Sequence, residues 1–108
     1  MQPSIYSRSD LEPRRLLPGT AVRLVHSETM TLASWDFEPD INLPEHSHPH
    51  EQITTVIEGI FELTIDGMIL RMEAGDVAVI NSGAVHSGRS VTRCRVVDAF
   101  HPVREDLR

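Results

Sequence analysis

Three of the chain's six histidines, His46, His48 and His50, fall within five residues of one another. In an extended chain alternate side chains point to the same side, so His46, His48 and Gln52 are expected to converge on one point. Imidazole nitrogen suits zinc, nickel, iron and copper, and two rings one residue apart on a strand stand about 6–7 Å apart at Cα, near enough to share an ion. A third imidazole follows at His86, 38 residues beyond His48, and it closes the set only if the two strands face each other, as in a barrel. The expected centre is a single divalent transition metal, nickel, zinc, iron or manganese. Glu51 competes with Gln52 as the oxygen ligand if a bulge near Pro49 shifts the alternation.

A second chemical residue emerges near the end of the chain. Cys94, Val96, Asp98 and Phe100 share one face of an alternating run, and Arg93, Arg95, Val97, Ala99 and His101 share the other. The first face is the apolar one, so Asp98 is expected to point inward. A carboxyl group there is either part of a buried ion pair or a poised acid or base.

These residues need strands to position them. Alternation or short apolar runs predict strands over 20–25, 29–37, 52–57, 60–65, 68–72, 77–80 and 92–101. Asp66-Gly67 is a two-residue hairpin signal, because both central positions favour positive φ. Seven to nine short strands with frequent turns and no helical period predict an all-β sandwich or barrel. Residues 1–19 read as an N-terminal arm, with Ile5-Tyr6 a candidate edge strand, and 20–108 as one domain. At 108 residues, 40% apolar and 24% charged, a single core is expected.

Composition narrows the function. A formal net charge of −6 argues against nucleic acid, which calls for a clustered basic face. All ten basic residues are arginines, so a side-chain Schiff base and a phosphate-loop lysine are both excluded. Recognition of carboxylates by the guanidinium fork remains open. The longest aliphatic run, 77–80, is far too short to span a bilayer, and the sequence does not open on a signal peptide, so a cytoplasmic location is expected. Cys94 is the one cysteine; no internal disulfide can form, and a buried apolar role is expected.

The spacing resembles that of the cupins, whose motifs read G-x5-H-x-H-x3,4-E-x6-G and G-x5-P-x-G-x2-H-x3-N. His46, His48, Gln52 and Gly59 follow the first, and Gly75, Gly83 and His86 the second. The chain departs from them in lacking the leading glycine, and in carrying Gln52 for the acid, Asn81 for the proline and Ser90 for the final asparagine. The resemblance implies a jelly-roll barrel with His46, His48, Gln52 and His86 as metal ligands. A carboxamide in place of the acid leaves the ion's charge uncancelled, near +2, which strengthens a Lewis acid and favours anionic substrates.

The run His46-Ser47-His48-Pro49-His50 with Gln52, and the ending Asp98-Ala99-Phe100-His101-Pro102-Val103-Arg104-Glu105-Asp106, resemble a group of small cupins that act in pectin and alginate breakdown. These open 4,5-unsaturated uronates to keto sugar acids. That resemblance implies a small anionic sugar acid as substrate, with Asp98 and Arg104 assisting the metal. Two other readings stand beside it: an iron-dependent cupin dioxygenase, and a non-catalytic cupin that binds a metal or a small molecule. Ile53 and Ile57 fall on the strand face opposite Gln52, so another sheet or a partner subunit is expected to cover them, and a homodimer is predicted.

Overall fold

Alternating apolar and polar side chains build nine strands among residues 3–108, the part of the chain that the computed structural model describes. They are β1 (Thr20–His26), β2 (Thr31–Phe37), β3 (Asn42–His46), β4 (Glu51–Glu58), β5 (Phe61–Ile65), β6 (Met68–Met72), β7 (Val77–Ile80), β8 (His86–Ser90) and β9 (Cys94–His101). One sheet runs β1-β2-β9-β4-β7 and the other β3-β8-β5-β6, every pairing antiparallel. The two sheets face each other as a jelly roll, the all-β fold expected.

Between the sheets lies a core of Phe37, Val56, Phe61, Ile80, Cys94 and Val96. Each comes from the inward parity of its strand, so hydrophobic burial and strand register specify each other. The hairpin turn is as expected, with Asp66 at φ 47° and Gly67 at φ 81°.

Two strands were not predicted. β3 carries Pro44, and β8 reads His-Ser-Gly-Arg-Ser, with no apolar member to reveal its alternation. Tertiary contact decides both. Gly88 of β8 lies under the Phe61 ring so closely that a Cβ there would come 2.5 Å from Phe61 Cζ. A glycine that weakens a strand signal in the sequence is the residue that lets this strand pack.

Ahead of β1 the arm makes a single 3-10 turn, Arg8–Asp10. It then pairs with the sheet edge through one backbone bridge, Arg14 to Val22. The candidate edge strand at Ile5-Tyr6 does not form; both side chains are exposed and supply no apolar face to bury. Positions 1 and 2 of the arm lie outside the described residues. No described helix is long and apolar enough to cross a membrane.

Candidate metal centre

His46 ends β3 in one sheet, Gln52 is the second residue of β4 in the other, and His48 sits in the turn between them. The convergence expected from a single extended strand therefore has a different origin. The chain crosses from sheet to sheet at 47–50, and the turn brings the side chains together. A bulge does occur, but in β3 between Leu43 and His46. Gln52 faces inward and is buried, while Glu51 faces outward and is exposed.

His86 arrives from β8, paired directly with His46. The turn before it is docked onto the His48 loop by two hydrogen bonds: the Gly83 N–H donates to the His48 carbonyl (2.9 Å) and the Ser82 hydroxyl to the Pro49 carbonyl (2.6 Å). Ring centroids of His46 and His86 lie 4.2 Å apart, and those of His48 and His86 4.9 Å apart. One nitrogen from each of the three rings falls within 4.8 Å of the others.

The tautomers are set by backbone carbonyls. Nδ1 of His46 lies 2.8 Å from the Pro44 carbonyl, Nδ1 of His48 3.0 Å from that of His50, and Nδ1 of His86 2.9 Å from that of Ala84. A carbonyl only accepts, so each Nδ1 carries the proton and each Nε2 offers a lone pair, the arrangement that orients metal-binding histidines. Nε2 of His86 is buried with no hydrogen-bond partner. Nε2 of His48 faces Gln52 Oε1 at 3.0 Å. With its one proton on Nδ1, a neutral His48 turns a lone pair toward the lone pairs of the amide oxygen, and a cation shared between them relieves that repulsion. Burial, followed by the positive charge of Arg104 and the neighbouring histidine, holds the His48 imidazole below its ordinary pKa; burial does the same at His86. Both therefore favour the neutral form that ligates a metal. The donor set fits a divalent transition ion.

A hydrogen-bonded chain connects this cluster to the inward carboxyl. Gln52 Nε2 donates to Thr54 Oγ1 (3.0 Å), and the Thr54 hydroxyl donates to Asp98 Oδ1 (2.7 Å). With Asp98 ionised, Thr54 must spend its proton on the carboxylate, so it accepts from the amide and turns Gln52 Oε1 toward the histidines. Burial pushes the Asp98 carboxyl above its ordinary value, against the opposing hydrogen bonds of Thr54, Gln52 and Trp35 and the charge of Arg104.

Arg104 is not a solvated tail residue. Its side chain is 13% exposed, and its guanidinium carbon stacks 4.6 Å from the centre of the Phe100 ring. Nε and Nη2 donate to the two oxygens of Asp106 at 3.0 and 2.8 Å, which leaves Nη1 free of that carboxylate. A cavity of about 280 Å³ collects these groups. His46, Gln52, Thr54, His86, Asp98 and Arg104 are among its polar lining, and Trp35, Phe37, Phe61 and Leu63 part of its apolar lining.

Thr54 and Asp106 were missed in the sequence. The available signal for Thr54 was its parity, two residues after an inward Gln52; for Asp106 it was a carboxylate two residues from the arginine it holds. Trp35 stacks on Phe37 with centroids 5.3 Å apart and also lines the cavity.

Comparison with known proteins agrees with this geometry. Residues 33–100 match the cupin domain family. The chain is 33% identical over 91 residues to the HTH-type transcriptional regulator PuuR of Escherichia coli (strain K12), an alignment covering 78% of this chain and 49% of that protein. It thus spans about half the length of the curated relatives it matches. Among solved structures it superposes on KdgF from Halomonas sp. with a TM-score of 0.93 at 24% identity, covering 99% of this chain and 100% of that one. An RmlC-like cupin from Shewanella frigidimarina NCIMB 400 gives a TM-score of 0.93 at 23% identity, with 99% and 97% covered. At these identities the structural likeness establishes the fold.

Proposed function

The chain belongs to the cupin family, and within it we propose that this protein is a metal-dependent enzyme that opens the ring of a 4,5-unsaturated uronate to the open-chain keto sugar acid. The observation that carries the reading is the direct linkage of three metal-ready imidazoles to a buried carboxyl through Gln52 and Thr54. The sequence resemblance of the His46–Gln52 run and of the ending from Asp98 to the uronate-opening cupins supports the choice of substrate. So does the cavity: at about 280 Å³ it falls just below the common range of ligand pockets, about 300–1,000 Å³, and suits one sugar ring.

His46, His48, Gln52 and His86 would hold the ion, which supplies Lewis-acid stabilisation of negative charge on a substrate oxygen. Arg104 receives the uronate carboxylate on the guanidinium edge that Asp106 leaves free, and Phe100 keeps that edge in place. Asp98 takes the proton of the C1 hydroxyl as the bond from C1 to the ring oxygen breaks. The ring oxygen becomes the enolate oxygen on C5, and C1 becomes the aldehyde. Asp98 then returns the proton to C4, leaving a ketone at C5. Atoms and charge balance without a co-reactant, and a carboxyl whose pKa is raised by burial is suited to both transfers.

The test is loss of the ultraviolet absorbance of the 4,5 double bond, measured with unsaturated galacturonate and mannuronate on protein as isolated, chelated and re-metallated. Metal-dependent acceleration over the spontaneous rate is expected, and Asp98→Asn is expected to lower kcat by about 10²-fold or more. Turnover of Asp98→Asn within a few-fold of the parent would refute the acid/base role. A second reading, a cupin that binds a regulatory small molecule without turnover, is favoured by the 33% identity to part of PuuR. It predicts ligand-induced stabilisation with no product from any uronate.

A further inference from the structure

A second cleft, of about 370 Å³, lies between the N-terminal arm and the five-stranded sheet. Arg95 lines it from the start of β9, whereas Phe100 lines the metal cavity five residues on. Phe37 lines both cavities, and no arginine or carboxylate is common to the two.

Half of the chain's ten arginines line this cleft: Arg8, Arg15, Arg23, Arg93 and Arg95. Its carboxylates are Asp36, Glu38 and Glu58. Five positive and three negative groups leave a local charge of +2 in a chain whose net charge is −6. The pairing is incomplete as well. Asp36 is shared by Arg8, Arg23 and Arg95, Arg95 also reaches Glu58 at 4.0 Å, and Arg93 pairs with Glu38. Arg15 meets no carboxylate among the described residues; its Nη1 reaches the Thr20 carbonyl at 3.3 Å. Nε of Arg23 is buried without a partner. Five guanidinium groups around three carboxylates leave N–H donors without an acidic partner, and planar guanidinium forks match oxyanions two donors at a time.

We propose that this cleft is a binding site for a compact, doubly charged oxyanion of the phosphate type, separate from the metal centre. The excess charge of +2 matches a dianion, and the volume admits a group larger than the bare ion. Inorganic phosphate and a small phosphate ester share this chemistry. The site does not depend on the uronate reading.

Calorimetric titration of the full chain, as isolated, with inorganic phosphate and separately with ribose 5-phosphate tests it, sodium acetate at matched ionic strength serving as the monoanion control. Saturable one-site binding of at least one phosphate probe is expected, with acetate failing to compete. The tighter of the two identifies the source. Arg15 is exposed on the arm, so Arg15→Gln should keep the fold, checked by its circular dichroism melt, and should weaken binding at least tenfold. That contrast also separates this cleft from any anion bound near the metal or Arg104. No saturable binding of either probe, weakening below tenfold in Arg15→Gln, or equal competition by acetate would overturn the proposal.

Discussion

As the proposed oxygen ligand, Gln52 would set the charge of the centre. A glutamate there would neutralise part of a bound ion, whereas the amide turns an oxygen toward His48 and keeps a donor for Thr54, so one side chain would link the proposed ion to the Thr54–Asp98 pair. The histidines were legible because their spacing is short and chemical. Thr54 and Asp106 were not, because a threonine in a strand and an aspartate in a charged tail match their surroundings in type and differ only in what they touch. Asp36 shows how far such contacts shift a group. Partial burial works to raise its carboxyl, but hydrogen bonds and charges from Arg8 and Arg95 outweigh it and hold the group below its ordinary value of 3.8. A lowered folded-state pKa gives stability that is fully present above 3.8 and is lost as the pH falls through the folded value. Asp36→Asn should therefore lower Tm at neutral pH, and the gap from the parent should close as the pH drops below 3.8. A gap that stays constant across that range in parallel thermal melts would show that the carboxylate's charge is not what stabilises the fold.

Turns and the short strands β3 and β8 do the positioning at the scale of elements. The 81–84 turn hydrogen-bonds the His48 loop, and β8 carries His86 against His46. Ser90, standing where the family motif has asparagine, is fully buried. Its hydroxyl donates to the Glu38 carbonyl at 2.6 Å and accepts from the Ile41 N–H at 2.9 Å, so it ties β8 to the β2–β3 connection. Strands with clean alternation, such as β2, β5 and β9, could be read from the sequence because their burial is encoded within each segment. β3 and β8 could not, since their burial depends on a ring and a turn from elsewhere. Gly88→Ala measures that dependence. Its Cβ would meet Phe61 Cζ at 2.5 Å inside a packed core, and overpacking of this kind costs about 1–3 kcal/mol. Denaturant unfolding should show a loss in that range; an unchanged midpoint would mean the Phe61 ring yields freely.

Over the whole molecule, the outer face of the five-stranded sheet divides in two. One end carries Arg23, Asp36 and Arg95, and the other a row formed by Leu32, Ala99, Ile53 and Val79 in direct register. Ile53 and Ile57 are 43% and 46% exposed, so no second sheet among the described residues covers them. The homodimer expected from the sequence remains our proposal for what does, and light scattering should give a mass near twice 12.1 kDa. A monomer at micromolar concentration would contradict it. Everything proposed about catalysis rests on one ion held by three histidines, two from one sheet and one from the loop that leaves it, and metal content tests that most directly. Native protein dialysed against each candidate ion and assayed by elemental analysis should carry one ion per chain, and His86→Ala, folded by circular dichroism, should carry none. A chain that retains no ion at micromolar concentration, or a His86→Ala variant that retains as much as the parent, would contradict the account.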